Sequence, residues 1–189
     1  MDTVSAEQKR VVEYMCERRS VRHFSSTPIP VDIMKEILRA AATGSPSAVN
    51  QQAYKFYVVY NKAILHAIAD KALAALVRQG FDIPAFQQFT GTKKMDVIFY
   101  DPPVVVFVTL PRTKCKSPIY VAFDAGIVSQ TMMMAAHFFG IGTCPVTCAS
   151  FAEDFTLECL HADPKEEELC VAISFGYPSE DAHPVDFCV

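Results

Sequence analysis

The sequence of 189 residues predicts an α+β domain, one central sheet with helices around it. Three observations carry this. Short β-rich runs ("KFYVVY", "PPVVVFVTL", "CVAISF") alternate with segments of helical apolar spacing. No internal repeat or low-complexity linker divides the chain, so residues 1–189 read as one domain. Hydrophobic residues make up 51% of the chain and charged ones 20%, more apolar than an average soluble domain. Such a surplus points to a large core or to a large interface between copies.

The elements follow in order. Ser5 and Gln8 form a capping-box pattern opening "AEQKRVVEYMCERR", with Val11, Val12 and Met15 as its apolar stripe. "VDIMKEILRAAATG" places Ile33, Met34, Ile37, Leu38 and Ala41 at helical spacing, and Gly44 sits where a terminator would. "SPSAVNQQA" is a loop. Lys55–Tyr60 is a strand, and Asn61 caps the helix that Gly80 closes. Phe81 to Phe99 is a looser aromatic stretch. The second strand runs through Val104 to Leu110. A long, nearly all-apolar helix, "IYVAFDAGIVSQTMMMAAHFF", ends at Gly140 and is expected to be buried on most sides. Ser150 and Glu153 form a second capping-box pattern before "FAEDFTLECLHA", and Cys170–Phe175 is the last strand. Met132–Met134 face three ways on their helix and read as packing. His66 and His137 read as core or interface residues.

Several function classes drop out. A net charge of −4 argues against a nucleic-acid partner. The uninterrupted apolar runs are far shorter than the roughly 18 residues of a bilayer span, and "MDTVSAEQKR" has no apolar leader, which predicts a cytoplasmic chain without membrane contact. Seven scattered cysteines suit free thiols. Cys144, Cys148, Cys159 and His161 are too loosely spaced to indicate a metal.

"ERRSVRHF" concentrates charge in this acidic chain. If the segment is extended, Arg18, Ser20 and Arg22 share one face, and Arg19, Val21 and His23 the other. Two guanidinium forks flanking a hydroxyl suit a phosphate. A solvated cluster at a helix C-terminus suits the same residues, because the dipole favours cations there.

Five motifs in order resemble the nitroreductase-like family of FMN-dependent oxidoreductases. They are Arg18-x-Ser20-x-Arg22 with Phe24; Ala41-Ala42 followed by Pro46, Ser47, Asn50 and Gln52; "DPPVVVFV"; "AFDAGIVSQTMMMAAHFFGIGTC"; and "SFGYP". The resemblance spans residues 8 to 178. It implies a mostly antiparallel sheet flanked by helices, in an interlocked homodimer with FMN at the interface. It also implies hydride passing from NADH or NADPH through flavin N5 to a nitroaromatic, quinone or similar small-molecule acceptor, in a ping-pong scheme with no obligatory acid or base. Arg18, Ser20 and Arg22 would hold the phosphate and ribityl end, with Arg19 nearby. Pro46, Ser47, Ala48, Asn50 and Gln52 form the loop that would reach the flavin from the partner subunit. Pro145, Val146, Thr147 and Cys148 would line the ring edge. The chain departs from the family at Ala53, where a proline is usual, at "CPVTCAS", and after Tyr177-Pro178, where a basic residue is usual. His183, among Glu180, Asp181 and Asp186, is the residue that could replace it. A non-catalytic FMN-binding or sensing protein, or another flavin chemistry of the family, is the alternative. Phe81, Phe86, Phe89 and Phe99 are candidates for an acceptor pocket, with core packing the expected role for most.

Overall fold

The computed structural model describes residues 4–92, 96–112, 118–180 and 182. In chain order the elements are α1 (Ala6–Glu17), α2 (Val31–Gly44), β1 (Lys55–Val59), α3 (Lys62–Arg78), α4 (Ile83–Thr90), β2 (Val104–Pro111), α5 (Pro118–Phe138), β3 (Gly142–Val146), α6 (Glu153–Cys159) and β4 (Glu167–Gly176). The four strands pair antiparallel in the order β1-β2-β4-β3, so the α+β expectation with an antiparallel sheet holds.

Strand β2 explains the layering. Its side chains alternate between two cores, as the two-residue period of a strand requires. Val105 and Phe107 join Leu65, Ile68 and Phe99 on one face. Val104, Val106 and Val108 join Ile37, Val128 and Met132 on the other. Helix α3 covers the first face, and α2 and α5 cover the second. A register shift between Val108 and Thr109 brings Thr109 opposite Leu169. Beside it lies a buried polar knot: the Thr109 hydroxyl donates to Glu167 over 2.6 Å, Tyr57 donates over 3.0 Å, and Lys55 pairs with the same carboxylate.

Helix α5 joins several short apolar runs. Read as a whole, Ile119–Phe138 is long and apolar enough to cross a membrane by length and composition, and half of it is buried within the fold. Its polar residues interrupt every run without breaking the helix. It leaves Ile119, Tyr120, Phe123 and Phe138 exposed, as is Phe139 just past its end.

Helix α1 is the other unpartnered surface. Its capping box forms: Ser5 N donates to Gln8 Oε1 over 2.8 Å, and Gln8 N to Ser5 Oγ over 3.1 Å. Yet Val11, Val12 and Met15 are all more than half exposed, and none of its residues is buried. Tyr14 anchors it, donating to the His137 carbonyl over 2.6 Å and stacking on that ring at 4.4 Å.

Three local expectations change. The aromatic stretch contains α4, capped by Asp82, whose side chain accepts from Ala85 N over 3.0 Å, and closed by Gly91 at φ +69. Of its candidates, Phe99 is core, Phe81 and Phe86 pack on each other at 5.1 Å, and Phe89 is exposed. The second capping box does not form. Ser150 Oγ donates to the Thr147 carbonyl over 2.7 Å, and Glu153 accepts from Arg112 and from Leu169 N, both over 2.9 Å. The stretch Gly142–Val146, for which the sequence predicts no strand, is strand β3.

Candidate functional site

The chain leaves α1 at Arg18 in an extended conformation, φ −58 and ψ 130. The following residues lie along the free edge of β3. Ser20 bridges Thr143 in parallel, and Val21 N donates to the Thr143 carbonyl over 2.9 Å. The segment then crosses to the residues after β4: Phe24 bridges Pro178, and Ser25 N donates to the Tyr177 carbonyl over 2.9 Å. Two glycines permit this approach. A Cβ on Gly142 would stand 2.7 Å from Val21 Cγ2, and one on Gly176 would stand 2.8 Å from Phe24 Cδ1.

Arg18, Ser20 and Arg22 all act on the Cys144 thiol: burial pushes that thiol up, opposed by the two guanidinium charges and a hydrogen bond with Ser20. Arg19 turns away, its Nη1 donating to the Cys16 carbonyl over 2.5 Å at the C-terminus of α1. Burial lowers the pKa of Arg18. Arg18 Nη1 and Arg22 Nε are buried with no hydrogen-bond partner. Such groups are costly unless an acceptor meets them. Two cationic donors and a hydroxyl in one niche fit a phosphate-bearing cofactor. The β3 exit completes this corner. Pro145 and Thr147 are exposed, Val146 is buried, and Cys148 is half-buried and close enough to Tyr100 to raise its pKa.

The second group of candidates lies elsewhere in the chain. Pro46, Ser47 and Ala48 line a cavity of about 440 Å³ with Phe123, Asp124 and Ile127 of α5. Asp124, a buried acid in an apolar helix, organises the loop. Its two oxygens each accept from Ala48 N over 3.1 Å, and Oδ2 accepts from Gln51 Nε2 over 3.1 Å. Ser47 Oγ accepts from Gln52 N over 3.0 Å. Held this way, Val49, Asn50 and Gln52 adopt φ of +48, +54 and +43. Left-handed backbone is unfavourable for a β-branched residue, and Val49 is 96% exposed. The loop's hydrogen bonds run to α5 and to itself, and those of the arginine segment run to β3 and the end of β4. His183 falls outside the described residues.

Sequence reasoning missed Asp124 and Tyr100. The first stood in the quoted Asp-x-Gly motif without a role. Nothing marked the second.

The profile of the Nitroreductase family matches residues 15–177. The chain belongs to the nitroreductase family. A Methanothermobacter thermautotrophicus protein assigned as an NADH dehydrogenase/NAD(P)H nitroreductase is 30% identical over 132 residues, 70% of this chain and 58% of its own length. This chain therefore spans little more than half of that relative. An iodotyrosine deiodinase of Haliscomenobacter hydrossis is 24% identical over 190 residues, 90% of this chain and 80% of its own. Among solved folds, a nitroreductase from Bacteroides fragilis with bound FMN has a TM-score of 0.77 at 23% identity, covering 95% of this chain and 94% of that one. An FMN-dependent nitroreductase from Mycobacterium smegmatis in complex with NADPH has a TM-score of 0.73 at 23% identity, covering 92% and 90%. This nitroreductase-family chain shares their fold.

Proposed function

We propose that the chain is a single-domain FMN-dependent oxidoreductase, working as a cytoplasmic homodimer with NADH or NADPH as co-substrate. The observation that carries this is the pair of buried, unpartnered donors on Arg18 and Arg22, on one face with Ser20. Bound FMN would supply hydride transfer from the nicotinamide to an electron-poor acceptor such as a quinone or nitroarene. The chain's own groups bind and orient. Arg18, Arg22 and Ser20 hold the phosphate and ribityl end. Pro145 to Cys148 border the ring. Pro46 to Asn50 of a second copy approach from the other side, which suits a loop pinned by Asp124 with Val49 directed into solvent. The exposed apolar faces of α1 and α5 are the surfaces that a second copy would cover.

The test is titration of cofactor-free protein with FMN and with riboflavin, followed by NAD(P)H oxidation with a quinone, a nitroarene and an iodotyrosine as acceptors. Arg22→Ala should weaken FMN binding about tenfold to a hundredfold and riboflavin binding far less, since a hydrogen bond to a charged group contributes about 1.5–3 kcal/mol. Equal losses would assign Arg22 to structure. Tight FMN binding without turnover of any acceptor would favour a binding or sensing protein.

A further inference from the structure

Tyr100 lies beside the candidate cofactor niche. It is buried, aromatic and not glycine, yet its φ is +68, and Asp101 follows at +53. That conformation is uncommon for a bulky residue and persists only where its surroundings enforce it. They do so here. Asp96 Oδ1 accepts from Ile98 N over 3.0 Å and from Phe99 N over 2.8 Å, and Oδ2 accepts from Asp101 N over 3.1 Å. The Ser174 hydroxyl donates to the Phe99 carbonyl over 2.9 Å, and Lys62 Nζ to that of Asp101 over 3.1 Å. Five hydrogen bonds thus frame one turn, and the side chain that the turn presents is Tyr100.

Above that ring lies Arg22. Its Cζ stands 5.9 Å from the ring centroid, within reach of a cation–π interaction. Its other restraint is weak: Nη1 reaches the Ser20 carbonyl over 3.5 Å. Its Nε is buried without a partner. Burial pushes the phenol up to about 12, an effect that Arg22 opposes through its charge and a hydrogen-bonding interaction, so the ring meets the guanidinium as a neutral phenol.

We propose that Tyr100 is a positioning residue, whose ring, fixed by the Asp96 turn, holds the Arg22 guanidinium still so that its unpaired Nε–H is set for an anionic ligand. That the ligand is FMN rests on the function proposed above. The hold itself does not depend on it. A guanidinium fixed before binding loses less rotamer freedom when it binds, and affinity rises accordingly.

The experiment has two arms. In cofactor-free protein, the NMR order parameter of the Arg22 Nε–H bond should be near the rigid value of about 0.85 and should fall below about 0.6 in Tyr100→Leu. Tyr100→Phe keeps the ring and its volume and should stay rigid, which guards against a merely misfolded Leu variant. In the second arm FMN is titrated into wild type, Tyr100→Leu, Arg22→Ala and the double variant. Tyr100→Leu should weaken binding about two- to thirtyfold, the range of a cation–π contact, and should have less than about twofold effect when Arg22 is already Ala. Additive losses, or an Arg22 as mobile in wild type as in Tyr100→Leu, would overturn the proposal. A rigid Arg22 in wild type that loosens in Tyr100→Leu, in a protein that takes up no FMN, would overturn the cofactor reading and leave the positioning role supported.

Discussion

Gly142→Ala should dismantle the arginine segment without touching any arginine. A Cβ at this position stands 2.7 Å from Val21 Cγ2, 2.8 Å from Val21 Cβ and 3.0 Å from Cγ1. Ordinary carbon contacts lie at about 3.5–4.0 Å. A valine cannot swing clear, because its branched Cβ is itself one of the clashing atoms. The strand edge must therefore open by about 1 Å. The 2.9 Å bond from Val21 N to the Thr143 carbonyl then stretches beyond hydrogen-bonding range. Overpacking of this kind costs about 1–3 kcal/mol, and the lost bond adds about 1 kcal/mol. At about 2–4 °C per kcal/mol for a domain of this size, the melting temperature should fall by about 5–15 °C. FMN affinity should fall further than stability suggests, since a misplacement of about 1 Å in a binding group can cost about a hundredfold. Circular-dichroism melting and fluorescence titration of FMN measure both. Val21→Ala in the same background removes the two γ-carbons but leaves the 2.8 Å Cβ contact, so rescue should be partial. A Gly142→Ala protein that melts and binds FMN like wild type would refute the account of why the segment lies where it does.

Other outcomes follow from the same structure. Light scattering should return a dimer, and the interface buried should exceed roughly 2,000 Å² if it is obligate; a monomer that binds FMN tightly would contradict the two-subunit site. Asp124→Asn turns an amide donor towards Ala48 N and the Gln51 amide, and should cost about 1–3 kcal/mol while speeding hydrogen exchange at Ala48; unchanged exchange would free the loop from Asp124. For Glu167, burial raises the pKa, but hydrogen bonds from Lys55, Thr109 and Tyr57 outweigh it and leave the carboxyl below its ordinary value. A depressed carboxyl contributes stability above its unfolded pKa and loses it as pH falls through the folded one. Glu167→Gln should therefore be less stable at neutral pH and show a shallower loss on acidification; parallel acid limbs would exclude the knot as its source.

The parts of the fold legible in the sequence are those whose local pattern and tertiary role agree. Strand β2 reads as a strand because its valines and Phe107 are buried on both faces, which needs no partner to recognise. Strand β3 does not, because "GTCPV" holds a glycine and a proline, and its extended form comes from pairing with β4 on one side and Ser20 on the other. Helix α4 is short, with Phe86 packed and Phe89 exposed, so no clean stripe marks it. The Ser150–Glu153 pattern failed for a similar reason: Arg112 and Leu169 N claim Glu153 from outside the helix. The extended course of the segment from Arg18 to Arg22 was legible, because it follows from where the first helix ends. Tyr100 was not, because its place depends on a left-handed turn set by Asp96, and no spacing rule reports such a turn.

The two unsatisfied features of the subunit pose different physical problems. The buried N–H groups of Arg18 and Arg22 need an acceptor, and apolar contact cannot supply one. The exposed faces of α1 and α5 need apolar cover, and an anion cannot supply that. In the proposed homodimer, a polar aromatic cofactor would answer the first need and a second copy the other. They are joined by the loop at Pro46 to Gln52. It is rooted on α5 by Asp124, at the edge of the apolar face, and it carries Val49 outward in a left-handed conformation held by hydrogen bonds to Asp124 and within the loop. A loop held in strain by its own subunit, with its most exposed residue apolar, makes little sense for an isolated monomer. It makes sense if the strain keeps the loop in the shape that a second copy receives. In the proposed homodimer, cofactor binding and pairing would then be linked, with the Asp124-rooted loop of one copy facing the Arg22 niche of the other.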